Sequence, residues 1–241
     1  MRLPILCLCH VGVSLLANAS FAEPKENHDS KTSQVFTYVR PSEDGYRPET
    51  KVRIELVDGG YRVISRTQRD TLSLTITAHF GDHDELKQAT VTTVKGSQKR
   101  TASAHVTNGK ARVDRSGKDP VVLECPRGVM VTSAPDWTDA ILAVHRWKAD
   151  GPRQQNFPGL WIHPTKTPLR VTFLLTREKT DAVTRDGRSV KLDRLRLELR
   201  GGSRYIVWRN PKGQLVRLIP QGKPRQGIIL SGWENATRGL R

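Results

Sequence analysis

The stretch Thr71-Leu72-Ser73-Leu74-Thr75-Ile76-Thr77-Ala78-His79-Phe80 decides the fold. Its apolar residues Leu72, Leu74, Ile76, Ala78 and Phe80 share one parity, and Thr71, Ser73, Thr75, Thr77 and His79 share the other. Successive strand side chains point to opposite faces, so this segment reads as a strand with one packed and one wet face, the signature of an antiparallel sheet. Just upstream, Val52, Ile54 and Leu56 alternate with Arg53 and Glu55, and Asp58-Gly59 leads into Tyr61, Val63 and Ser65, which predicts a hairpin closed by a two-residue primed turn. Residues 35–39 form an earlier strand that ends at Pro41. Downstream, the acidic loop 81–85 is followed by strands at 88–95 and 100–107, an Asn108-Gly109 turn into 111–114, and a short strand at 121–123.

The period then changes. Trp137, Ala140, Ile141 and Val144 recur at helical spacing, with Asp136 placed as N-cap behind Pro135 and Gly151-Pro152 as terminator, which predicts one helix over 137–147. Strand patterns return at 159–163, 169–177, 188–200, 204–209 and 214–219. In the long segment the apolar parity shifts from Val190 and Leu192 to Leu195, Leu197 and Leu199, which predicts a β-bulge near Asp193-Arg194. The expected fold is mainly β: a large curved antiparallel sheet, a half-barrel or open barrel, with one covering α-helix. No internal repeat is visible.

The N-terminus reads as a secretory signal peptide. Arg2 precedes an apolar run to Leu16, and Ser20 and Ala22 place small side chains where a signal peptidase accepts them, so residues 1–22 are expected to be cleaved off. The run is shorter than the ~20 apolar residues that span a bilayer. Residues 23–34 then form a polar leader, 35–232 a single β domain and 233–241 a C-terminal tail, and the mature form carries no transmembrane span. Cleavage removes Cys7 and Cys9, leaving Cys125 without an internal disulfide partner, so the hydrophobic core must hold the fold. The full chain has 40 Lys+Arg against 24 Asp+Glu, a net charge of +16. Such a balance attracts polyanions, and export turns the expectation from nucleic acid toward anionic envelope polymers. The localisation expected is periplasmic or secreted.

Two sets of residues are candidates for binding. Trp137, Ile141, Val144, Trp147, Trp161, Tyr205 and Trp208 could line an apolar concavity beneath the helix, with ordinary core packing as the competing reading. Arg194, Arg196, Arg200, Arg204, Arg209 and Arg217, interleaved with aromatics, could hold an anionic polymer, with a solvated charged face as the competing reading. His79, Asp82, His83, Asp84 and Glu85 are metal-capable, but an acidic solvated loop explains them and no metal or cofactor is expected. Cys125 could pair with His145 or His163 only if its thiol pKa were lowered, and its Val-Val-Leu approach argues for simple burial. No nucleophile elbow, phosphate loop or zinc-protease motif occurs, so no enzyme activity is expected.

The segment Asp136-Trp137-Thr138-Asp139-Ala140, the element Gly159-Leu160-Trp161 and the closing hairpin with Tyr205-Ile206-Val207-Trp208 and Asn210-Pro211-Lys212-Gly213 resemble exported bacterial proteins built on the half-barrel of the periplasmic lipoprotein-localisation factor. That resemblance implies a noncatalytic envelope protein binding a hydrophobic or amphipathic ligand, a lipid or lipoprotein acyl chain, in its concave sheet. A basic surface module for an anionic envelope polymer or polysaccharide is the alternative.

Overall fold

The computed structural model describes residues 33–134, 136–199, 202–223 and 226–240. The expected signal peptide, most of the leader, Pro135 and Arg200 lie outside the described residues.

Among the described residues fifteen strands form a single sheet. The first eight are β1 (Ser33–Ser42), β2 (Gly45–Val57), β3 (Gly60–Arg69), β4 (Leu72–Gly81), β5 (Leu86–Lys95), β6 (Gln98–Thr107), β7 (Lys110–Arg115) and β8 (Lys118–Glu124). Then come β9 (Met130–Thr132), α1 (Thr138–Arg146), β10 (Gln154–Trp161), β11 (Leu169–Arg185), β12 (Arg188–Leu199), β13 (Arg204–Arg209), β14 (Leu215–Pro220), β15 (Ile228–Leu230) and the one-turn α2 (Glu234–Thr237). The order runs from β8 back to β1, crosses to β15, and runs back again to β9. Two antiparallel meanders are thus joined where β1 pairs with β15, Tyr38 opposite Leu230. The result is the expected mainly β fold, one large open curved sheet.

The alternation in Thr71 to Phe80 does what it promised. Leu74, Ile76, Ala78 and Phe80 are buried, whereas Thr75, Thr77 and His79 are half-exposed. The pairing of β9 with β10 is parallel, unlike the antiparallel pairs elsewhere. Parallel neighbours cannot be joined by a tight hairpin, and α1 is the crossover between them. At nine residues α1 is too short to persist alone. Its helicity comes from burying Ile141, Leu142, Ala143 and Val144 against the inner surface, at about 1.5–3 kcal/mol for each large side chain.

Three local expectations are corrected. Asp136 is not the N-cap: Trp137 holds that position, and Asp136 one residue earlier accepts the Thr138 N–H while taking hydroxyl protons from Ser65 (2.9 Å) and Thr67 (3.0 Å) on β3. It ties the start of the helix to the sheet. The turn at Asn108-Gly109 has φ of 53° and 72°, as a primed turn requires, but at Asp58-Gly59 only the glycine takes positive φ, so that turn is not primed. The extra residue near Arg194 lies on the partner strand: pairing passes from Arg177–Leu195 to Lys179–Arg194 and leaves Glu178 of β11 unpaired.

The parity shift in β12 has a further cause, burial of both faces. Leu195 and Leu197 face one way and Leu192 the other, on the side of Trp208 and Arg217. The C-terminal residues, expected to trail as a tail, supply cover there. Trp233 and Thr237 are buried, and Arg217 donates to the Thr237 carbonyl.

Candidate functional site

A cleft of about 840 Å³ opens where the start of α1 meets the ends of β1, β3, β13 and β14. Its aromatic surface is Trp137 and Tyr205, packed edge to face with ring centroids 5.6 Å apart. Four cations line it: Arg40, Arg69, Arg204 and Lys223. Ser203, Gln221 and Gln226 supply neutral polar groups.

A buried glutamate organises this mouth. Pairing between β1 and β2 passes from Tyr38–Thr50 to Val39–Pro48, so Glu49 is the extra residue of a β-bulge. Proline is tolerated at such a site because the ladder is already interrupted. The bulge turns Glu49 inward, and its side chain is only 2% exposed. Its carboxylate accepts from Arg69 Nε at 2.8 Å and from the Trp137 indole N–H at 3.1 Å, and it pairs with Arg40 Nε at 3.1 Å. Arg69 also lies 5.7 Å from the centroid of the Trp137 ring. One carboxylate therefore fixes two guanidinium groups and an indole in a common orientation. Arg204, 61% exposed, meets Glu198 at 3.5 Å, its one ion pair among the described residues, and four cations share the cleft, so it remains positive. Sequence reading identified Trp137, Tyr205 and Arg204 but missed Arg40, Glu49, Arg69 and Lys223. The signal for Glu49 was Pro48, a proline inside an otherwise regular strand.

The other expected site residues do not come together. Ile141, Val144 and Trp147 are buried in the closed core, and Arg177 and Arg209 stack 5.6 and 5.3 Å from the Trp147 ring centroid. Among the described residues, Ile141, Leu142, Ala143 and Val144 of α1 all pack into this core. Trp161 is half-buried and stacks on His163, apart from the cleft. Trp208, three residues from Tyr205, lies on the opposite face, fully buried, with its indole N–H donated to Asp181 at 2.9 Å.

The arginine set is largely committed. Arg194 and Arg196 both bind Glu178, at 3.1 and 3.3 Å, Arg209 meets Asp193 at 3.6 Å, and Arg217 is buried against Thr237. Burial lowers the pKa of Arg209 and of Arg217. A continuous free arginine face is therefore absent from these strands among the described residues, and only Arg204 reaches the cleft.

At the opposite end of α1 a second cleft of about 390 Å³ is bounded by Ile54, Leu56, Leu142, Tyr61, His145 and Arg146. Arg146 stacks 5.0 Å over Phe80 and pairs with Asp84 at 3.4 Å, while the Tyr61 hydroxyl donates to Asp84 at 2.5 Å. Burial pushes the Tyr61 hydroxyl up to about 12. In the metal-capable loop Asp84 is thus engaged, and Glu85 binds Lys87 at 2.9 Å and Arg127 at 2.8 Å. Among the described residues no group of three His, Cys, Asp or Glu is placed to hold an ion. Burial pushes the Cys125 thiol up to about 11, opposite to what a nucleophile requires. No described helix is long and apolar enough to cross a membrane.

No protein-family model matches the chain, and no curated protein matches it. Two solved structures are similar to it in fold. One is a β-barrel-like protein of the domain of unknown function DUF1849 from Brucella abortus, at 12% identity and a TM-score of 0.45, covering 82% of this chain and 93% of that one. The other is a DUF1089 family protein from Pseudomonas aeruginosa, at 13% identity and a TM-score of 0.45, covering 73% of this chain and 90% of that one. Neither carries the lipoprotein-localisation label expected from the sequence.

Proposed function

We propose that this is an exported, noncatalytic binding protein of the bacterial envelope, whose site is the cationic, aromatic mouth at the start of α1. The observation that carries the reading is the arrangement around Glu49: two guanidinium groups and a partly exposed indole held on one buried carboxylate, with Arg204 and Lys223 lining the same cleft. A ligand with acidic groups and a ring or aliphatic face satisfies both parts. Preorganised guanidinium groups lose little entropy on binding, which favours affinity. The test is a titration followed by tryptophan fluorescence, using glucuronic acid and dodecyl phosphate as probes. Binding should weaken with salt and fall about tenfold or more in Arg204→Ala/Lys223→Ala; failure of both probes to bind would reject the site.

A second reading keeps the acyl ligand. The half-open cleft beside Leu142, with Leu56 57% exposed, is apolar enough to take a chain. Lipid extracted from protein purified out of its native envelope, and lost in Leu56→Glu, would support it; a lipid-free extract would reject it.

A further inference from the structure

Arg204 and Gly202 belong to two clefts at once. On one side is the mouth; on the other is a cleft of about 610 Å³ lined also by Asn156, Thr172, Leu174, Glu198 and Leu199. The two clefts lie on opposite faces of the sheet and meet at its edge, where Gly202 and Arg204 line both: Tyr205 shares its face with Leu197, whereas Arg204 shares the other with Glu198. Asn156 is opposite Leu174, Leu174 opposite Glu198, and Glu198 opposite Arg204, so one cross-strand row runs over β10, β11, β12 and β13 and ends at the mouth. At ~4.8 Å per strand, the row extends roughly 14 Å beyond Arg204.

We propose that the mouth and this row form one groove round the sheet edge for a linear acidic oligosaccharide, an inference that rests on the binding role assigned to the mouth above. The chemistry of the lining selects this class. Amides and hydroxyls at Gln221, Gln226, Ser203, Asn156 and Thr172 suit sugar hydroxyls, and an acyl chain laid there would leave them desolvated without partners. The Trp137 and Tyr205 rings and the Leu174 side chain offer apolar surface to the C–H faces of sugar rings. Charge sets the direction. Glu198 in the outer cleft is answered by Arg196 at 2.9 Å and Arg204 at 3.5 Å, so that cleft is nearly neutral and the excess of cations lies in the mouth. The acidic sugar sits in the mouth and the following units lie along the row.

The test is calorimetric titration of the intact mature protein with galacturonic acid, linear tetragalacturonic acid, neutral cellotetraose and phosphatidylglycerol vesicles. Two double variants accompany it, Asn156→Ala/Thr172→Val in the row and Arg204→Ala/Lys223→Ala in the mouth, each checked by thermal melting. The tetramer should bind at least about tenfold more tightly than the monomer, and the row variant should erase that gain while leaving monomer affinity unchanged, as loss of two hydrogen bonds implies. Equal affinity for monomer and tetramer, or a gain that survives in the row variant, overturns the groove while the mouth stands as a binding site. Cellotetraose binding as tightly as the acidic tetramer overturns the acidic specificity. Binding of vesicles but of neither acidic sugar overturns the glycan in favour of a membrane surface. If none of the probes binds, both the groove and the mouth are rejected.

Discussion

Replacing Asp139 by asparagine should make the protein more stable at neutral pH and leave it little changed in acid. Asp139 is buried in the first turn of α1, where it accepts the Thr132 hydroxyl at 2.5 Å and the Ala140 N–H at 2.6 Å. Burial, reinforced by the nearby Asp136 carboxyl and opposed by those hydrogen bonds, raises its pKa from 3.8 to about 7. A carboxyl whose folded pKa lies above its unfolded value contributes most stability below about pH 4. That contribution is lost as pH rises through about 7. The gap corresponds to at most about 4 kcal/mol. Asparagine keeps an acceptor for Ala140 and never charges, and the Thr132 hydroxyl can turn to accept from its amide. Urea unfolding at intervals from pH 4 to pH 8 and constant ionic strength should therefore give a flatter profile for Asp139→Asn. A residual slope should remain from Asp136, which burial also raises. The variant should exceed the wild type by about 2–4 kcal/mol at pH 8. Parallel profiles, or a variant less stable at pH 8, would refute a neutral, buried Asp139.

Glu49→Gln should cost about 2–3 kcal/mol, because it strands the charges of Arg40 and Arg69, discounted for their 40% and 30% side-chain exposure. It should also broaden the tryptophan emission as Trp137 loses its fixed partner, and an unchanged unfolding midpoint would count against the clamp. At Gly159 an added Cβ would come within 2.4 Å of the Phe173 ring and 2.7 Å of Val171 Cγ2. Gly159→Ala should therefore lower stability by about 1–3 kcal/mol and the Tm by a few degrees; a Tm equal to wild type would show that the β10–β11 packing is looser than described. Cys125 should resist iodoacetamide at pH 8 in the folded protein and react on addition of urea, and equal rates in the two states would refute its burial.

The strands were legible wherever one face is wet and the other dry, because alternation exists only under that condition. The segment from Thr71 to Phe80 is the case in point, and the helix was equally plain from the change of period at Trp137. What escaped was chain buried on both sides. Met130-Val131-Thr132 and Ile228-Ile229-Leu230 are short and wholly buried, so they carry no alternation, and with β9 unseen the parallel crossover was unseen too. The site was half legible for a related reason. Trp137 and Tyr205 stand out by type, but Arg40, Arg69 and Lys223 are ordinary members of a basic chain until the register brings them together.

Two of the sheet's bulges, those of β2 and β11, explain how a chain of net charge +16 avoids a uniformly cationic sheet. Each inserts an unpaired glutamate into a regular ladder, Glu49 in β2 and Glu178 in β11, and each glutamate gathers two arginines from neighbouring strands. The outcomes differ because the surroundings differ. Glu178, 27% exposed, binds Arg194 and Arg196, which flank it on the adjacent strand, so the charges neutralise one another on a solvated face. Glu49, 2% exposed, lies beneath its arginines and beside an indole, and those arginines line a cleft that also holds Arg204 and Lys223. A buried carboxylate below a cleft orients cations toward it; a half-exposed one among them cancels their field. Burial of the glutamate, more than the number of arginines, therefore separates the cationic cleft of this sheet from its charge-balanced face.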